Sequence, residues 1–166
     1  MNGIPLHPLM VHLPVILIPL TVLMALPALF SRRWFQWSAP LTLAFSLAAA
    51  VGSALTTATG EQLAEADGES SALLQRHEQL GEMTRNLALL LFLLLLVWVA
   101  HYWHRSPAAL RRIGERLPAL YLVLLVGVAG VVLAVQAGHA GAQLVWQGEG
   151  SEGAGGEAGE GGGDRD

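Results

Sequence analysis

The residues in this chain best suited to chemistry are its histidines. There are six in 166 residues, and there is no cysteine. Four of them, His7, His12, His77 and His139, stand near the ends of long apolar stretches. A neutral imidazole binds zinc, copper, iron or haem iron through a ring nitrogen, so this set is a candidate ligand cluster. The absence of cysteine excludes disulfides, thiolate metal sites and cysteine nucleophiles. A plainer reading stays open beside the first: a histidine at a wet interface can simply hydrogen-bond a neighbouring carbonyl. Thr56, Thr57 and Thr59 lie at the end of the second apolar stretch. They could support such a cluster from behind, or bond back to their own helix. His101 and His104 share a helical face beside Trp103 and Arg105; they could ligate an ion together, but read rather as interfacial side chains.

Other chemistry is absent from the pattern. The chain has no glycine-rich phosphate loop, no Ser-His-Asp set and no paired carboxylates within its apolar stretches. Those stretches carry no charged residue at all, whereas an ion-coupled transporter needs ionisable groups near mid-membrane. The net charge is -4, so nothing favours nucleic acid.

The elements that must position the histidines follow from hydropathy. The chain is 53% hydrophobic and 13% charged, against roughly a quarter charged in soluble domains. Four apolar stretches, 9–30, 41–59, 87–103 and 117–137, are each about long enough to cross a bilayer. None alternates with period two, and in lipid only helices then satisfy the backbone. The expected fold is all-α: a four-transmembrane-helix bundle over residues 1–147, followed by a Gly/Glu-rich tail, 148–166, too polar to fold. Residues 1–7 carry no Lys or Arg, so the first stretch is expected to remain a span rather than act as a secretory leader.

Ser70 or Ser71 can cap a helix, and Leu73, Leu74, His77, Leu80 and Gly81 follow helical spacing. The third helix is therefore expected to run over 71–104, its first turns standing beyond the membrane surface. The second should continue past Gly60 through Leu63. Pro14, Pro19 and Pro27 should bend the first helix. Ala48, Ala49, Gly52, Ser53, Gly127 and Gly130 are expected where helices pack closely.

Arginine sets the orientation. Arg32 and Arg33 follow the first stretch, and Arg105, Arg111, Arg112 and Arg116 separate the third from the fourth. The connection between second and third is acidic, with Glu61, Glu65, Asp67, Glu69, Glu78 and Glu82. Positive residues stay in the cytoplasm, so both termini and the acidic connection are expected outside a bacterial inner membrane. Trp34, Phe35, Trp37, Trp98, Tyr102 and Trp103 would then mark the cytoplasmic edge. His7, His12, His77 and His139 all fall at the outer face. Heights agree: His77 to Tyr102 spans about 37 Å, Leu117 to His139 about 33 Å, and His12 to Phe30 about 27 Å.

Two functions fit. One is a redox or electron-transfer module holding haem b through His12 with His77 or His139, or a transition metal on the same four histidines. Its partner would be a cytochrome or other redox protein at the outer face. The other is a non-catalytic membrane anchor or partner subunit whose histidines are structural or hold a labile metal.

The opening Ile4-Pro5-Leu6-His7-Pro8-Leu9-Met10-Val11-His12-Leu13-Pro14 and the closing Gly138-His139-Ala140-Gly141-Ala142-Gln143-Leu144-Val145-Trp146 carry a resemblance. With Arg76-His77-Glu78 through Thr84, they resemble domain-of-unknown-function family 2231 of predicted bacterial membrane proteins, over residues 4–147. The resemblance implies four membrane-embedded helices with His7, His12, His77 and His139 at matching positions, and no assigned function. Some relatives look to be joined to cytochrome c-like domains, which suits a redox role. Family members often carry a second histidine before a glycine near the end, where this chain reads Trp146-Gln147-Gly148.

The orientation is testable with fusions to the intact chain. A periplasm-active phosphatase fused after Asp166 is expected to be active, and one inserted at Ser106 inactive. The reverse pattern would invert the bundle.

Overall fold

The computed structural model describes residues 6–29, 32–67, 71–103 and 117–156, and these are helical apart from Val11 and Ser71. In order they are α1 (Leu6–Met10), α2 (His12–Ala25), a 3-10 turn (Leu26–Leu29), α3 (Arg32–Asp67), α4 (Ala72–Trp103) and α5 (Leu117–Gly156). No strand occurs among the described residues.

Proline divides the first element. Pro14 has no N–H for the carbonyl of Met10, and its ring crowds that carbonyl, so regular helix lapses at Val11. The turn is held by Val11 N–H donating to His7 O at 3.1 Å, while the next bond, Val15 N–H to Val11 O, stretches to 3.5 Å. Pro27 falls in the 3-10 turn that ends the element. Pro19 stays inside α2 and Pro40 inside α3.

α3 extends beyond its apolar stretch in both directions, from Arg32 to Asp67. Ser71 caps α4, its hydroxyl accepting the N–H of Leu74 at 3.0 Å. α5 continues to Gly156, and residues 157–166 of the acidic tail lie outside the described residues.

Three helices are long and apolar enough to cross a membrane: Arg33–Glu65, Ala72–His101 and Tyr121–Trp146. A shorter apolar helix, His12–Ala25, joins them. Leu23, Val97, Leu125, Val128 and Val135 are all more than half exposed, each pointing away from the bundle. A helix apolar on both its inner and outer faces belongs in lipid.

The helices pack in a closed square. α3 lies against α2 and α4, and α5 lies against α4 and α2. α2, which follows the short helix of His7, and α4, which carries His77, therefore occupy opposite corners. The main core cluster includes Phe35, Leu91, Leu95, Trp98 and Val123, with Phe35 edge-on to Trp98 at 5.2 Å. A smaller layer joins Ile18, Ala49 and Ala88.

Small residues set the helix spacing. A Cβ on Gly127 would stand 2.5 Å from Val22 Cγ2, and one on Gly52 would stand 2.8 Å from Leu13 Cβ. Ala49, Gly52, Ser53, Gly127 and Gly130 are all buried, as expected of packing positions. Ala48 is the exception and faces outward, because it sits one residue off the buried stripe of α3.

Gly127→Val should lower the unfolding midpoint in detergent, with overpacking costing about 1–3 kcal/mol, because β-branched Val22 cannot swing aside. Gly138→Ala meets open space. It should be neutral or stabilise by up to about 1 kcal/mol. Thermal unfolding of both variants checks the pair.

Candidate functional site

His7 sits in the short helix that opens the chain, and its ring lies on α3. Nδ1 is 3.0 Å from the carbonyl of Thr56 and 3.4 Å from Thr59 Oγ1. A carbonyl can only accept, so Nδ1 carries the proton and donates it. The ring reaches α3 from the short helix that ends just before Val11.

His77 repeats the arrangement between α4 and α5. It lies one turn into α4, and its Nδ1 donates to the carbonyl of Ala137 on α5 at 2.9 Å. Both rings are half-buried. They meet edge to face, with centroids 6.1 Å apart and planes at 86°. With both Nδ1 protons engaged, each neutral ring keeps its Nε2 lone pair.

A glycine makes room for each ring. A Cβ on Gly60 would stand 2.9 Å from His7 Cε1, and one on Gly141 would stand 3.0 Å from His77 Cε1. Each glycine lies four residues after the accepting carbonyl, Thr56 before Gly60 and Ala137 before Gly141. The flanking sequences also agree: Gly60-Glu61-Gln62-Leu63 and Gly141-Ala142-Gln143-Leu144. Sequence reasoning had assigned these glycines no role at the site. The repeated Gly-x-Gln-Leu was the signal that could have found them.

The threonines prove to be bonded to their own helix. Thr56 donates to Gly52 O at 2.8 Å, Thr57 to Ser53 O at 3.0 Å, and Thr59 to Leu55 O at 2.9 Å. The contribution of Thr56 to the site is thus its carbonyl.

The other two members of the expected cluster stand differently. His12 is exposed at the start of α2. His139 is exposed on α5 and lies 3.2 Å from the amide of Gln143, one turn further on. Among the described residues, no group of three or more His, Asp or Glu side chains is placed to hold a metal ion. The structure thus brings together His7 and His77 as a pair rather than four histidines. Helix rotation is the reason: height along the bundle was readable from residue counts, but the facing of each ring was not. His101 is exposed at the far end of α4, and His104 lies outside the described residues.

Burial holds the His7 ring below the ordinary imidazole value of 6.5. The Thr56 carbonyl opposes this, and repulsion from a charged His77 adds to it. The folded chain therefore keeps His7 neutral where the unfolded chain would take up a proton. The resulting stability is full above pH 6.5 and drains away as pH falls through the lowered value. Thermal unfolding of wild type is expected to be more acid-sensitive below pH 6.5 than that of His7→Asn. Parallel profiles for the two proteins would remove His7 from the account.

Comparison with known proteins gives one match. The family model described as Predicted membrane protein (DUF2231) aligns with residues 3–151. Searches of curated proteins and of solved structures find no match. With its helices apolar on their outer faces and nearly its whole length covered by that model, the chain belongs to the DUF2231 family of predicted membrane proteins.

Proposed function

We propose that His7 and His77 are the protein donors of a transition-metal centre, haem iron or a bare ion, in a membrane-embedded electron-transfer module. The observation that carries this reading is the pair of Nδ1–H to carbonyl bonds, at 3.0 and 2.9 Å. Ligating histidines characteristically donate their second ring nitrogen to a carbonyl or carboxylate, which fixes the tautomer and aims the other nitrogen at the metal. The spacing also supports it. Two imidazoles on opposite sides of one metal, each roughly 2 Å from it, have ring centres about 6 Å apart. The observed separation is 6.1 Å.

In this reading the histidine end faces outward from a bacterial inner membrane. Arginines 32 and 33 hold the opposite end in the cytoplasm. A soluble cytochrome or similar redox protein would meet the centre there. His12 and His139 are exposed on the helices that continue from the same site.

A second reading has its own support. Each ring–carbonyl bond is complete without a ligand and ties one helix to another. The protein would then be a membrane anchor or partner subunit with structural histidines.

Metal content separates the two. Protein purified without imidazole or chelator is expected to carry about one iron or copper per chain, reduced at least tenfold by His7→Ala or His77→Ala. His12→Ala and His139→Ala should retain it. Metal-free protein that stays folded after growth with added haem and metals would leave the anchor reading standing.

A further inference from the structure

The site belongs to a repeat that runs through the whole bundle. Pro14, Ile18, Thr21 and Ala25 are the buried residues of α2, and they lie 7, 11, 14 and 18 residues after His7. Thr84, Ala88, Leu91 and Leu95 are buried at the same steps after His77. The returning helices follow the same rule in reverse. Ser53, Ala49, Ser46 and Thr42 are buried 7, 11, 14 and 18 residues before Gly60. Ala134, Gly130, Gly127 and Val123 are buried at those steps before Gly141.

These alternating steps of three and four are the inward seam of a left-handed bundle. All four seams are in register with the site. The bundle is thus two equivalent hairpins, α1–α2–α3 and α4–α5. Each begins at a ligand histidine and ends at the glycine that seats it. Such hairpins run the same way through the membrane and are related by an axis along the bundle. His7 and His77 hold equivalent positions in the two hairpins.

We infer that the pair is built for haem, with one ring as each of its two axial ligands. This rests on the metal-centre reading above and names its ligand. Equivalent donors from two equivalent hairpins would supply two matched bonds to one centre. A bare zinc ion asks for four protein or water ligands, and copper(II) or nickel(II) for at least as many. Here the described residues supply two and no third. Haem iron brings four nitrogens of its own and asks the protein for axial ligands only. Gly60 and Gly141 are positioning residues, since each acts through the ring it seats.

The test is the absorption spectrum and metal content of the full-length protein purified from haem-supplemented cells. One haem per chain is expected, with the spectrum of a six-coordinate low-spin iron. His7→Gly and His77→Gly should each shift it to high spin to the same extent, and added imidazole should restore both. Gly60→Ala and Gly141→Ala should cause smaller, matched losses of haem occupancy. His12→Ala and His139→Ala should leave the spectrum unchanged.

Stoichiometric zinc or copper without a Soret band, lost in the His7 and His77 variants, would overturn haem and leave the metal centre intact. Neither haem nor metal would overturn both. A haem sensitive to His77→Gly but indifferent to His7→Gly would overturn the two-sided site.

Discussion

A leucine gains nothing by leaving lipid for a bundle core, because the two surroundings are equally apolar. Helices that meet in a membrane must therefore be held by close contact and hydrogen bonds, and this constraint shapes the whole structure. Val22 beds against Gly127, and Leu13 against Gly52, at distances that admit no side chain on the glycine. The histidine site uses the same device at the bundle end. Each imidazole lies against a bare glycine, close enough for its nitrogen to reach a backbone carbonyl on the next helix.

The polar side chains of the interior divide by what they can reach. Buried Thr21, Ser46, Ser53 and Thr84 all donate to carbonyls three or four residues back in their own helices. A hydroxyl on a short stem can do this, and the bond then says little about a neighbour. An imidazole cannot fold back so easily and must find its acceptor elsewhere. His7 and His77 therefore become ties between helices, and the same bonds select the tautomer that leaves Nε2 free. Ser38 and Thr42 are the buried hydroxyls without a partner among the described residues. They lie at the other end of α3, in the hairpin whose counterpart has Val123 in place of Thr42.

The repeat gives the asymmetries meaning. Where the hairpins agree, at the histidines, the seating glycines and the seam steps, the requirement is geometric and belongs to both halves. Where they differ, Pro14 stands in the first hairpin at the step that Thr84 occupies in the second. His7, on the short first element, meets His77 although α2 and α4 sit at opposite corners.

Composition and spacing by themselves determined the class of this protein. Four charge-free stretches in a chain without alternating pattern have one way to satisfy a backbone in lipid. The serine cap at Ser71, the break near Pro14 and the packing roles of Gly52 and Gly127 were legible for the same reason, because each depends on residues close by in sequence. Residue counts also set an expected height for the four histidines, a count multiplied by a fixed rise. Which rings meet was decided only by the tertiary structure. Helix rotation and the choice of neighbours turn His7 and His77 inward while His12 and His139 stay exposed, and a rotation of that kind depends on contacts between residues many tens of positions apart.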